Sequence, residues 1–305
     1  MPILGIMASS VSKVAKAGYF AGGIGAANIS GIDKIAFPAD TKTTLTATLT
    51  TARYWGSGFA NSGVAGYHAG GNDTAVLSGI DKILFSTDAK STLSATLTTA
   101  RGELGGGFAN SGTAGYSPGG YDTANISGID KITFSSETKS TLSATLTTAR
   151  RGIGGMANSG TAGYVGGGYD GAYLAGVDKI TFSTDAKTTL SSSLSGARYA
   201  TTGFANSGTA GYFSGGFTPN TQTINKIVFS TDTISTLSGT PTAVYNGSGA
   251  ADTGTAGYIA GGVASGVYLS AIDKITFSSD AKSTLSATLS SIRGAATSFA
   301  NCGVL

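Results

Sequence analysis

The dipeptide Gly-Tyr, preceded by Ala, returns six times along the chain, at Tyr19, Tyr67, Tyr116, Tyr164, Tyr212 and Tyr258, at intervals of 48, 49, 48, 48 and 46 residues. Periods of this length belong to tandem units, each too small to bury its own apolar face and each completed by its neighbours. The best-formed unit runs from Gly107 to Arg150, GFANSGTAGYSPGGYDTANISGIDKITFSSETKSTLSATLTTAR. It shows no helical period and is rich in Thr, Ser, Ile and Phe, so it holds several short strands.

Four strands fit in each unit. The first is expected near Phe108 to Ser111, before an Asn-Ser-Gly turn, and the second, Thr113 to Ser117, stops at Gly119-Gly120. The third, Ile129 to Ser135, alternates Asp130, Ile132 and Phe134 with Ile129, Lys131 and Thr133. The fourth, Ser140 to Thr147, sets Leu142, Ala144 and Leu146 against Thr141, Ser143 and Thr145. Period two is the mark of a strand. Six such units predict an all-β chain, a six-bladed β-propeller of four-stranded blades over residues 17–305. A stacked solenoid competes with it. However, Phe299 to Leu305 copies the start of a unit (compare Phe59 to Ala65), and the first repeat begins at Ala17-Gly18-Tyr19, where that copy leaves off. The C-terminal strand is therefore expected to complete blade one and close the ring.

The second strands end in an aromatic and a double glycine, as in Tyr67-x-x-Gly70-Gly71, Tyr116-x-x-Gly119-Gly120 and Tyr164-x-x-Gly167-Gly168. With the strand that follows and the Arg before the next unit, this pattern resembles the kelch repeat. The usual kelch Trp after the third strand is absent, and Leu93, Leu142 and Leu190 lie in that region. Kelch-like propellers include copper enzymes of the galactose-oxidase type, whose chemistry requires His ligands and a Tyr–Cys crosslink. One histidine, His68, and one cysteine, Cys302 in the closing strand, do not fit that chemistry.

Repeats can be compared with one another. Asp33, Asp81, Asp130, Asp178 and Asp273 recur on a strand face shared with Ile and Phe, where a carboxylate needs a partner. Arg53, Arg101, Arg150, Arg198 and Arg293 recur once per unit. The fifth unit has Asn225 in place of the Asp and Tyr245 in place of the Arg, and also Ile234 where others have Lys. An Asp–Arg pair is expected, within each blade or between neighbours, serving as scaffold. His68 stands where other units carry Ser117, Val165, Phe213 and Ile259, and reads as a substituted scaffold position.

Variable residues follow the repeat Arg or the double Gly. Strands alternate in direction, so both connections should lie on one face of the disc, where loops on a rigid scaffold usually bind. Candidate binding residues there are Tyr54, Trp55, Asp73, Tyr121, Asp122, Tyr169, Tyr173, Tyr199, Phe217 and Tyr268. Their rings suit the C–H faces of sugars and equally a protein partner.

Composition narrows the chemistry. Charged residues make up 11% of the chain against a usual ~25%, and the net charge of +3 is scattered, leaving no footprint for nucleic acid. A single Cys excludes a disulfide framework within the chain, and a single His argues against His-clustered metal sites. Asp73, Glu103, Asp122 and Asp170 are loop acids without a hydrolase motif. Neither catalysis nor a cofactor is expected. No apolar run approaches the ~18 residues of a membrane span.

Residues 1–16 precede the repeats. Their opening, Met1-Pro-Ile-Leu-Gly-Ile-Met-Ala-Ser-Ser10, lacks the basic start of a signal peptide. It is similar to the opening of tailed-bacteriophage virion proteins that carry varied β-rich modules. The resemblance implies a segment that docks to virion proteins and a propeller that faces outward, as a tail fibre or surface-decorating adhesin contacting a host-surface glycan or protein. The alternatives are a cellular kelch-like interaction or carbohydrate-binding module, cytoplasmic or on a host surface, and, last, a galactose-oxidase-like or glycan-active enzyme.

Overall fold

A computed structural model describes residues 16–217 and 222–302; the expected docking segment, apart from Lys16, and the last three residues of the closing segment lie outside them. The described residues form six four-stranded antiparallel sheets and one two-stranded hairpin, with no helix. Blade three shows the pattern: inner strand Phe108–Asn110, second strand Ala114–Pro118, third strand Ile129–Thr133 and outer strand Thr138–Thr141. The inner strands pack against one another around the axis, which makes the architecture a six-bladed β-propeller. Blade one takes its inner strand, Thr297–Ala300, from the C-terminal end of the chain, paired with Ala17–Ala21 in the register Tyr19 to Phe299.

The outer strand is shorter than its alternation suggested. In blade three the ladder stops at Thr141, and the chain bends so that Leu146 is buried. In the same bend Thr147 donates its N–H and hydroxyl to Asp178 of the next blade, at 2.9 and 2.6 Å. In blade one the same contact, from Thr50 to Asp81, follows an outer strand that keeps its full length, Thr41–Thr48.

The Gly-Tyr motif is a contact between blades. A Cβ at Gly66, Gly115, Gly163 or Gly257 would fall 1.9–2.2 Å from the ring of Phe299, Phe59, Phe108 or Phe204 on the inner strand of the preceding blade. Only glycine leaves room for that ring. The following Tyr is buried and stacks on neighbouring rings, as Tyr116 does on Phe108 at 5.1 Å and on Phe182 of the next blade at 5.3 Å. Its hydroxyl donates to a carboxylate in the next blade's turn, where a Lys also pairs. Tyr116 and Lys131 meet Asp185 at 3.0 and 2.6 Å, and Tyr258 and Lys274 meet Asp40 of blade one at 2.7 and 2.6 Å. The closing seam thus uses the same bonds as the others.

The repeated Asp and Arg are partners, and each pair joins two blades. The Arg at the end of one unit reaches the Asp of the next: Arg53–Asp81 at 2.9 Å, Arg101–Asp130 at 3.2 Å, Arg150–Asp178 at 2.8 Å and Arg293–Asp33 at 3.0 Å. Each carboxylate also accepts an N–H and a hydroxyl from the preceding blade and a hydroxyl from its own outer strand; for Asp81 these come from Thr50, at 2.9 and 2.6 Å, and from Thr92, at 2.8 Å. Burial opposes its ionisation, but these hydrogen bonds and Arg53 hold the Asp81 carboxyl below its usual range.

The two losses in the fifth unit fall on different interfaces. The backbone places Val244, not Tyr245, at the Arg position, because the Val244 carbonyl accepts the N–H of Gly216 as the Arg101 carbonyl accepts that of Gly71. Asp273 therefore lacks an Arg, and Lys282 closes to 3.1 Å where the equivalent lysines stay at 3.7–3.8 Å from Asp33, Asp81 and Asp178. On the other side Arg198 meets the neutral Asn225, and Ile234 stands where a Lys would have flanked the carboxylate. Burial pushes the Arg198 guanidinium down to about 10, with no carboxylate to hold it up.

Asn225→Asp should restore that pair. The expected gain is about 1–3 kcal/mol, a rise in melting temperature of roughly 2–8 °C. A thermal melt at pH 7 with an unchanged or lower midpoint would show that Arg198 has no use for a carboxylate.

Candidate binding face

Both variable connections do lie on one face, and they touch. Bridges join Tyr54 to Asn72, Gly102 to Tyr121, Arg151 to Tyr169, Tyr199 to Phe217 and Tyr245 to Val263. Closer to the axis, backbone hydrogen bonds run around the whole ring. Trp55 donates to Ala295, Ala295 to Asn246, Asn246 to Ala200, Ala200 to Gly152, Gly152 to Glu103, and Leu104 back to Trp55, at 2.7–3.2 Å. The six residues Trp55, Glu103, Gly152, Ala200, Asn246 and Ala295 in this ring have φ between 48° and 60°. Blade three has one residue more than the others between its Arg and its inner-strand Phe, so Leu104 rather than Glu103 donates there.

Below the ring the axis is nearly shut. Glycines line it so closely that a Cβ on Gly106 would fall 1.9 Å from Gly155. The remaining space is about 40 Å³, room for a few waters and no larger ligand. The candidate binding residues lie above it, on the surface of the face.

That surface carries a connected run of aromatic rings. Tyr54 lies 5.4 Å from Trp55, Trp55 6.2 Å from Tyr199, and Tyr199 6.2 Å from Tyr169. The run continues from Tyr169 to Tyr173 at 5.5 Å, to Phe217 at 6.0 Å and to Tyr245 at 5.3 Å. Arg151 stacks on Tyr121 at 4.4 Å and on Tyr169 at 5.3 Å, while its Nε lies 3.3 Å from Glu103. The Tyr199 hydroxyl donates to Glu103 at 2.6 Å; burial first, and then the Glu103 charge, keep that phenol protonated well above its ordinary range. An Arg held by two rings and a carboxylate loses little freedom on binding and presents fixed hydrogen-bonding edges.

Seven of the expected residues thus come together: Tyr54, Trp55, Tyr121, Tyr169, Tyr173, Tyr199 and Phe217. Tyr268 stands apart, in the small hairpin of blade six against Gly294. Asp73 accepts from Asn28 at 3.2 Å, and the Asp122 N–H turns back to Ala124. Tyr245 is the residue that the sequence comparison missed. The signal was present, since Thr242-Ala-Val-Tyr245 matches Thr51-Ala-Arg-Tyr54 and so puts Tyr245 level with Tyr54. His68 is fully buried beneath Gly56, and burial followed by the nearby Arg53 pushes its imidazole well below its ordinary range. It is a neutral scaffold residue. Among the described residues no group of three or more His, Cys, Asp or Glu could hold a metal ion.

No protein-family model matches the chain, and no curated protein matches its sequence.

Trp55 has internal partners: half-buried, it donates its indole N–H to Asn246, 191 residues away across the axis, at 3.1 Å. Trp55→Ala should cost about 2 kcal/mol, roughly half the penalty for truncating a fully buried Trp. Chemical denaturation followed by circular dichroism checks this. An unchanged midpoint would mean that the indole does not brace the ring.

Proposed function

We propose that this chain is a non-enzymatic binding protein of a bacteriophage particle, a tail fibre or surface-decorating adhesin, whose aromatic face engages host-envelope glycans. The observation that carries the binding reading is the unbroken run from Tyr54 to Tyr245 on the one face where the repeats differ. The opposite turns are occupied in holding neighbours: Gly112, Gly160, Gly208 and Gly254 each donate to an Asn Oδ1 of the preceding blade at 2.8–3.0 Å. Stacked rings beside a fixed Arg–Glu pair suit the alternating C–H and hydroxyl surfaces of a sugar. The kelch-like repeat supports an interaction scaffold. The Pro-Ile-Leu-Gly-Ile opening supports a virion setting, with residues 1–16 docking to other virion proteins.

A second reading, a protein-interaction module, draws on the same rings, because large aromatics also dominate protein contacts. Two measurements separate these proposals. Mass spectrometry of purified phage particles should find the chain as a stoichiometric component, and its absence would remove the virion setting. A glycan array probed with the full chain should give saturable binding that quenches or shifts the fluorescence of Trp55, the single Trp. Particle incorporation without any glycan binding would favour a protein partner.

A further inference from the structure

The aromatic run has two unlike ends. At the axis, Trp55 is tied to Asn246 and Tyr199 to Glu103, so their polar groups already have partners. At the rim, between the fourth and fifth blades, Phe217 is 38% exposed and meets Tyr173 and Tyr245 edge-on, with interplanar angles of 68° and 77°. Phe217 thus presents an exposed apolar wall that a phenol ring meets edge-on from Tyr173 and another from Tyr245. A flat amphipathic ring the size of a pyranose can stack on that wall.

Charge on the same face narrows the ligand. The variable connections carry Asp73, Glu103, Asp122 and Asp170 against Arg151 and the buried Arg198, which has no carboxylate partner, so acids outnumber bases on this face although the whole chain is net +3. Arg151 is itself paired with Glu103 and held between Tyr121 and Tyr169. The face is therefore electronegative, and like charge disfavours an acidic partner.

Resting on the glycan-binding reading above, we propose that Tyr173, Phe217 and Tyr245 form a stacking subsite for uncharged or amino-bearing saccharides, on a face that rejects acidic ones. The test is an array of neutral, amino-bearing and acidic (uronic, sialylated and phosphorylated) glycans, probed with the full chain and its variants. The wild type should bind neutral or amino-bearing spots at least tenfold above acidic ones. Phe217→Ala, and Phe217→Leu, which keeps apolar bulk but removes the flat ring, should each lose tenfold or more of that binding with the melting temperature unchanged. Asp122→Asn combined with Asp170→Asn should narrow the gap to acidic spots. If the wild type binds no glycan of any class, the underlying reading fails and the subsite with it. If the wild type binds but acidic spots are strongest, or Phe217→Leu binds as well as wild type, the subsite alone is overturned.

Discussion

A carboxylate buried between two β-sheets is costly unless every oxygen is met, and this fold meets it with donors from two blades at once. Asp178 takes an Arg, a backbone N–H and a hydroxyl from the blade before it, and a hydroxyl from its own outer strand. Neighbouring blades can satisfy it at only one offset. The carboxylate and its donors therefore tie two sheets together at the offset that the interlocked rings and glycines also set. Where the fifth blade drops the Asp, it drops the flanking Lys as well, and where Val244 replaces the Arg, the next Lys draws closer. These changes belong to a single electrostatic unit spread over three positions of the repeat.

The glycine content follows from the same demand for close blades. The Gly of each Gly-Tyr pair admits a ring from the preceding blade, and the double glycines sit at positive φ, as at Gly70 (62°) and Gly71 (104°), where the chain turns back over the Arg carbonyl. Most side chains on one face, in the channel and between blades are committed to these contacts. Variation is admitted on the remaining face, which is also where the aromatic run lies.

Much of this was legible in the sequence because repeats give internal comparison. The blade count, the closing strand, the partnership of Asp with Arg and the location of the variable face all follow from period and alternation. What was not legible depended on neighbours. Thr147 alternates like a strand residue, but it lies past the end of the ladder and donates to a carboxylate 31 residues on. The loss of the repeat Asp and of the repeat Arg, read in the sequence as Asn225 and Tyr245, looked like one event in one unit, because spacing shows neither that Val244 holds the Arg position nor that each Arg looks forward to the next blade. Trp55 reads in the sequence as a candidate binding ring, and its bond to Asn246 is hidden there because that partner is distant in sequence and comes near only when the ring closes.

The central claim is that the blades form one closed cooperative ring, with the strand Thr297–Ala300 as its clasp. The direct measurement removes residues 297–305 and supplies them again as a separate peptide. The truncated chain should lose several kcal/mol, on the order of a whole strand's hydrogen bonds and packing, and melt far lower or aggregate. Saturating peptide should return the melting temperature toward that of the intact chain. A truncated monomer that melts like the intact protein, or one that the peptide leaves unchanged, would contradict closure through this strand.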